Sequence, residues 1–384
     1  MAGGTAEPRL YPSAPYMRPA PGSLPDLSAL RAALAAAERP VILAGNGIRI
    51  AGAEAALAAF ATRESLPVAT TPSGKGVFAE TSTLSLGTIG SYGNPSANSA
   101  LRQADLVLVL GSKLSASDTL AGADSLLNPT WQKIIQVEIE PRNLSWTQPV
   151  DLPVQACLRQ LLEALLEQTA LRSSGPAAPT GSNNPRVVDL PEAVDDILAP
   201  PGIIRAMQAH LPAETIYTCD AGENRIFMLH YLQSLAPGRF SQPAGAGPMG
   251  YAIPSALAQK LLNPDLPVVA FSGDGGFSMT MNGLLTAVEE GLPILCVVMN
   301  NSALGWSQHS RGPFATAFAD IDYAAIARGM GCEGLRVRTP SELPNAFPQA
   351  LEATRAGRAA VIDITTTMAV SFAELADARS QSVA

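Results

Sequence analysis

Two side chains, each closing a short apolar run, carry oxygens suited to a hard divalent cation: Asp274 in PVVAFSGDGG and Asn301 in PILCVVMNN. Mg²⁺ is typically held by one or two carboxylates, with waters and substrate phosphates completing its shell. Asp274 offers an anionic oxygen and Asn301 a neutral carbonyl oxygen. Gly273, Gly275 and Gly276 flank the aspartate and leave the backbone free to approach a diphosphate. A helix starting there turns its first amides and its dipole toward the anion. The pair reads as a diphosphate site bridged by a cation, although either fragment alone also reads as an ordinary turn. A second cue is the glycine-rich turn AGAGPMGYAIPSALAQK, in which Met249 is an unbranched, adaptable apolar side chain.

For Asp274 and Asn301 to meet, their runs must be adjacent parallel strands. PVVAFSGD reads as a buried strand, SMTMNGLLTAVEEG as a crossover helix and PILCVVMNN as the next buried strand. A right-handed crossover brings both strand ends to one edge, the edge at which open α/β sheets bind ligands. The same grammar runs through the chain. LSALRAALAAAERP is a helix stopped by Pro40, and PVILAGNG, LPVATT, ADLVLVLGS and KIIQVEIE are strands, so residues 27–171 form one α/β domain. Residues 172–200, dense in Pro, Ser, Gly and Asn, cannot bury enough apolar surface to order themselves and read as a linker. A second α/β series, with IIRAMQAHLP as a helix and TIYTCDAG and AAVIDITTT as strands, fills residues 201–368. Residues 1–26 form an extended lead-in and residues 369–384 a tail. The expected fold class is α/β: two open parallel-sheet, three-layer domains.

Hydrophobic residues make up 47% of the 384 and charged residues 15%, enough to build sizeable cores and too apolar for a disordered chain. A net charge of -8 with no basic run excludes a nucleic-acid partner. No signal-peptide core is visible, nor an apolar stretch of roughly 20 residues, so neither export nor a membrane location is expected. Four scattered cysteines with no CxxC pair fit a reducing cytoplasm.

FSGDGGFSMTMNGLLTAVEEGLPILCVVMNNSALGW resembles the motif of thiamine diphosphate (ThDP) enzymes, in which GDG is followed by NN; here residues 276 to 299 intervene. The resemblance implies that Asp274, Asn301 and the main-chain carbonyl of Ala303 bind Mg²⁺, with Gly273, Gly275, Gly276 and Leu304 lining the cofactor site. The turn Gly247-Pro248-Met249 is similar to one in the acetolactate synthase and pyruvate oxidase branch. By that likeness Met249 is the wedge beneath the bent cofactor, while the Gly247 carbonyl and the Met249 amide hold the aminopyrimidine. CDAGENRIF places Glu223 and Asn224 where diphosphate contacts usually sit, though a solvated carboxylate suits Glu223 equally. NNSALGWSQHSRG makes Trp306, Gln308 and His309 substrate-pocket candidates, although Trp306 equally suits a core and His309 a surface position.

RPVILAGNGIRIAG with ADLVLVLGSKLS and IIQVEIEP is similar to the central, Rossmann-like domain of the same family. AGNGIRIAG lacks the G-x-G-x-x-G spacing, since Ile50 stands at its last position, so FAD is not expected and a structural role is. The family's pyrimidine-binding domain, whose glutamate protonates N1′ of the cofactor, finds no counterpart, and 26 residues ahead of Leu27 are too few to build one. The expectation is a subunit of a split, heteromeric ThDP- and Mg²⁺-dependent enzyme whose partner chain brings that domain. The expected reaction is acetolactate-synthase-like decarboxylation and carboligation of a 2-oxo acid. Alternatives are a 2-oxo acid decarboxylase, a 2-hydroxyacyl-CoA lyase, or a non-catalytic, cofactor-binding remnant.

Overall fold

The unbroken apolar runs are strands buried on both faces, as parallel strands covered by helices must be. The computed structural model describes residues 23–116, 118–119, 126–171 and 188–377. Its first sheet comprises β1 (Pro40–Ala44), β2 (Val68–Thr70), β3 (Ser85–Thr88), β4 (Leu106–Leu110), β5 (Lys133–Glu138) and β6 (Leu152–Gln155). They lie in the order β3-β2-β1-β4-β5-β6, every pair parallel. The two-residue period divides the side chains between two cores. Ile42 and Ala44 pack with Leu57, Phe60 and Leu161 on one face, and Val41 and Leu43 pack with Ala97 and Leu101 on the other.

A short antiparallel hairpin follows, β7 (Ala193–Val194) and β8 (Ile197–Leu198). Its two-residue turn, Asp195-Asp196, has both residues at positive φ, matching the twist of the strands it joins. The second sheet comprises β9 (Ile216–Cys219), β10 (Phe240–Ser241), β11 (Val268–Gly273), β12 (Leu295–Asn300), β13 (Glu333–Val337) and β14 (Ala360–Thr365). Its order is β10-β9-β11-β12-β14-β13, again all parallel. Val269 and Phe271 face a core with Ile203, Met207 and Phe227, whereas Val268 and Ala270 face Ala256, Phe277 and Leu284. The α/β expectation of two open parallel sheets is met.

Three local readings change. The crossover between β11 and β12 is two helices, Asp274–Thr280 and Gly283–Glu289, and the first begins at Asp274 itself. Gly273 closes β11 and Asp274, Gly275 and Gly276 form the first helical turn. Of the segment 172–200, residues 172–187 lie outside the described residues, but residues 188–200 are packed. Leu198 and Ala199 are buried, and Pro200 opens the helix Pro200–His210. Proline suits that first position because its missing N–H would find no partner there anyway. The tail reading fails for residues 370–375: Val370, Phe372 and Leu375 enter the second domain's core.

The two domains meet along a polar seam. Lys75 Nζ lies 2.6 Å from Glu80 Oε1, with both side chains buried, and Glu80 Oε2 accepts the Ser234 amide at 2.8 Å. The Arg49 guanidinium donates to the Lys75 carbonyl at 2.7 Å and across the seam to the Phe240 carbonyl at 3.0 Å. The Gly238 amide donates to the Gly76 carbonyl at 2.8 Å. Among the described residues no helix is long and apolar enough to cross a membrane.

Candidate functional site

β11 and β12 are neighbours in register, Gly273 opposite Met299, so the residues following them, Asp274 and Asn301, come to the same sheet edge. Between these strand ends and the start of helix Glu223–Tyr231 opens a cleft. Glu223, Asn224, Met249, Gly273, Asp274, Gly275, Gly276, Asn301, Ala303, Leu304 and Trp306 line it.

Asp274 is 1% exposed. Its Oδ1 accepts the Gly275 amide at 2.7 Å and its Oδ2 the Ala303 amide at 3.1 Å. Burial pushes the carboxyl up to about 6 against the pull of these amides, and the nearby Asp363 charge adds to the rise. A buried carboxylate is stable when paired with a cation, yet no Lys or Arg forms an ion pair with Asp274 among the described residues. Asn301 Oδ1 stands beside it, accepting the same Ala303 amide at 3.2 Å. Ser302, at φ 53°, makes the left-handed bend that turns the chain back over the aspartate.

The donor set fits a small hard cation. Among the described residues no group of three or more His, Cys, Asp and Glu could hold a metal alone, so a cation here would need carbonyls, water and ligand oxygens to complete its shell. That is how Mg²⁺ binds together with phosphates. The backbone is also shaped for a ligand at close range. A Cβ on Gly275 would come 2.6 Å from Leu304 Cδ2 and 3.0 Å from Met249 Cε, so a larger residue there would push these side chains aside.

Of the two adjacent asparagines, only Asn301 faces the cleft. Asn300 Nδ2 donates to Asp363 Oδ1 at 2.9 Å and to the Ile321 carbonyl at 3.0 Å, tying β12 to its neighbours. Glu223, expected as readily in solvent, is buried. Its Oε1 lies 3.1 Å from His309 Nδ1 and accepts the Phe372 amide at 3.1 Å. Burial raises the Glu223 carboxyl, and His309 opposes that rise. Asn224 Nδ2 donates to the Asp220 carbonyl at 3.0 Å.

Gly247, Gln308 and His309 do not line the cleft. Gly247, at φ 62°, shapes the turn behind Met249. Gln308 Oε1 accepts from Thr316 Oγ1 at 3.4 Å, and His309 Nε2 is 3.0 Å from the Met368 carbonyl. Trp306 stacks on Phe372 with ring centroids 4.5 Å apart, and Tyr92 of the first domain meets both rings edge-on.

Asp220, at the end of β9, escaped the sequence reading. Its Oδ1 accepts the Ala221 amide at 2.8 Å and the Tyr251 amide at 3.1 Å, and its Oδ2 accepts the Gly250 amide at 3.1 Å. It staples the Met249 turn to the sheet. Gly276 makes room for it, since a Cβ there would come 2.6 Å from Asp220 Oδ2. The available signal was an aspartate following an apolar strand and preceding Ala-Gly.

The open parallel sheet thus brings the buried Asp274 carboxyl, the Asn301 side-chain amide and a glycine-lined cleft together at one edge. Residues 27–165 match the thiamine pyrophosphate enzyme central domain, and residues 220–364 match the thiamine pyrophosphate enzyme C-terminal TPP binding domain. The chain belongs to the thiamine diphosphate-dependent enzyme family, carrying its central and C-terminal domains. It is similar to a probable acetolactate synthase large subunit of Methanococcus aeolicus, 29% identical over 343 residues, which span 83% of this chain and 57% of that protein. The acetolactate synthase large subunit of Corynebacterium glutamicum is 30% identical, spanning 82% of this chain and 53% of that protein. A sulfoacetaldehyde acetyltransferase of Roseovarius nubinhibens is 30% identical over 86% of this chain and 60% of its own length. The chain thus spans a little more than half the length of these relatives.

Proposed function

We propose that the cleft binds ThDP through Mg²⁺ held by Asp274, the Asn301 side chain and the Ala303 carbonyl. We further propose that the chain serves an acetolactate-synthase-like enzyme that decarboxylates a 2-oxo acid and joins the product to a second carbonyl. The observation that carries this reading is the buried Asp274 carboxyl, unpaired by any side-chain cation among the described residues and set beside Asn301 in a cleft lined by Gly273, Gly275 and Gly276. When bound, the cofactor supplies a nucleophilic thiazolium carbon that attacks a carbonyl and holds the charge left by C–C cleavage.

The chain's own residues bind and orient. Gly276, in the first turn of helix Asp274–Thr280, presents its amide to the diphosphate, while the Gly275 amide holds the Asp274 carboxylate. Met249, held by the Asp220 staple, props the cofactor by shape, and Leu304 closes the apolar wall beside it. Trp306, fixed by Phe372, excludes water at the rim.

Within the two domains no carboxylate is assigned to the aminopyrimidine N1′. We propose that a pyrimidine-binding domain on a separate chain supplies it, and that the assembly works in a reducing cytoplasm, where the four cysteines stay unpaired. The sulfoacetaldehyde acetyltransferase similarity puts sulfoacetaldehyde into the substrate panel beside 2-oxo acids.

Calorimetry tests the site. Asp274→Ala should abolish Mg²⁺-dependent ThDP binding while the circular dichroism spectrum stays native; unchanged affinity with and without Mg²⁺ would place the cofactor elsewhere. Cofactor C2-proton exchange, followed by NMR, tests the partner: it should be slow with this chain and accelerate when a pyrimidine-domain chain is added. Fast exchange by this chain alone would overturn the two-chain reading.

A further inference from the structure

Helix Glu223–Tyr231 opens with three polar side chains that diverge. Glu223 turns to His309 and Phe372, and Asn224 turns to the end of β9. Arg225 takes a third direction, toward the glycine-rich turn: a Cβ on Gly247 would come 3.3 Å from its Nη1. Its Nε is buried and has no hydrogen-bond partner among the described residues. A guanidinium is a fork of five donors and a buried donor left unmade is costly, and Arg239 and Arg336 leave their Nε in the same state. By contrast the seam arginine, Arg49, donates to four acceptors.

The surroundings of Arg225 are polar and also incompletely paired. Ser241 Oγ and Gln242 Oε1, on the strand end that runs into the same turn, are buried without partners. Asp118, 8% exposed on the first domain, has its carboxyl raised by burial, a rise that Ser115, Lys113 and Arg225 oppose. No ion pair joins Asp118 to Arg225 among the described residues, whose buried pair at this seam is Lys75–Glu80. The half-buried guanidinium therefore stands beside the Gly247–Met249 turn with no ion pair among the described residues.

We propose that Arg225 is the anion receptor of the substrate, taking the carboxylate of the 2-oxo acid in a bidentate pair on the first-domain side of the Gly247–Met249 turn. This rests on the function proposed above and names the group that fixes its substrate. A planar carboxylate matches the guanidinium fork, and such a pair orients the reacting carbonyl as well as holding it. The turn is the element that would carry the aminopyrimidine, so a carboxylate on Arg225 sets the adjoining carbonyl beside the cofactor. A neutral carbonyl compound would lack this anchor.

The test uses the full chain saturated with ThDP and Mg²⁺ and follows arginine Nε–H signals by NMR. Arg225→Lys assigns the Arg225 signal by its disappearance. Pyruvate should shift that signal saturably, and pyruvamide, its neutral counterpart, should not. Arg225→Gln should weaken pyruvate binding about tenfold to a hundredfold while leaving ThDP affinity unchanged, and Arg225→Lys should fall between. A pyruvate titration that leaves the signal unmoved, or a Gln variant that binds pyruvate as the parent does, would overturn the proposal. So would loss of ThDP binding in both variants, which would make Arg225 a support of the cofactor turn. Failure of the parent chain to bind ThDP counts against the cofactor reading instead, and the pyruvate titration of the chain alone still reads out Arg225.

Discussion

Met249 and Asp220 show two ways a residue serves this site. Met249 brings its terminal methyl to Gly275 at the cleft, so its contribution is volume. Volume-conserving apolar swaps are tolerated best. In the assembled enzyme Met249→Leu should keep most of the turnover and Met249→Ala should lose far more, with equal rates marking Met249 as mere packing. Asp220 acts through amides it never loses sight of, those of Gly250 and Tyr251, and its role lies in holding a turn rather than touching a ligand. The difference explains what was legible. Asp274, Asn301 and the glycines carry their chemistry in their types and spacing. Asp220 acts on residues 30 and 31 positions away, and the Glu223–His309 pair joins two helices far apart in sequence, so neither leaves a local pattern.

At the scale of elements, the central strands declared themselves because both faces are buried, which makes β1, β4, β11 and β12 continuous apolar runs. The edge strands did not. β13 is Glu-Gly-Leu-Arg-Val, with Arg336 reaching Asp322 and Asp363, and β10 is two residues long. Phe372, placed in a tail, packs against Trp306 because an aromatic ring that can bury itself does so wherever the chain passes a groove. The crossover between β11 and β12 touches the cleft only through its first turn. Two glycines inserted beside Gly291, which has open space around it, should cost only about 0.6 kcal/mol for each doubling of the loop. ThDP affinity should then stay at the parental value by calorimetry; a marked loss would mean that the far end of the crossover also shapes the site.

At the scale of the molecule, the seam decides whether two domains behave as one. Lys75 and Glu80 are both buried, and removing one partner of such a pair typically costs about 3–5 kcal/mol because the other charge is stranded. Glu80→Ala should lower the melting temperature, and scanning calorimetry should show the parent's single transition splitting in two. A single unsplit transition would make the seam energetically minor. The sequence announced both domains but not their joint, since Arg49, Lys75, Glu80 and Ser234 look like unremarkable loop and helix residues until the fold sets them face to face.

The seam also carries a thermodynamic consequence. Anything that binds only the native state at a hundred times its dissociation constant deepens that state by about 2.7 kcal/mol. If the domains open together, that gain cannot stay where the ligand sits. β1 and β4, which touch no cleft residue, would then exchange their amide hydrogens more slowly when ThDP occupies a site in the other domain.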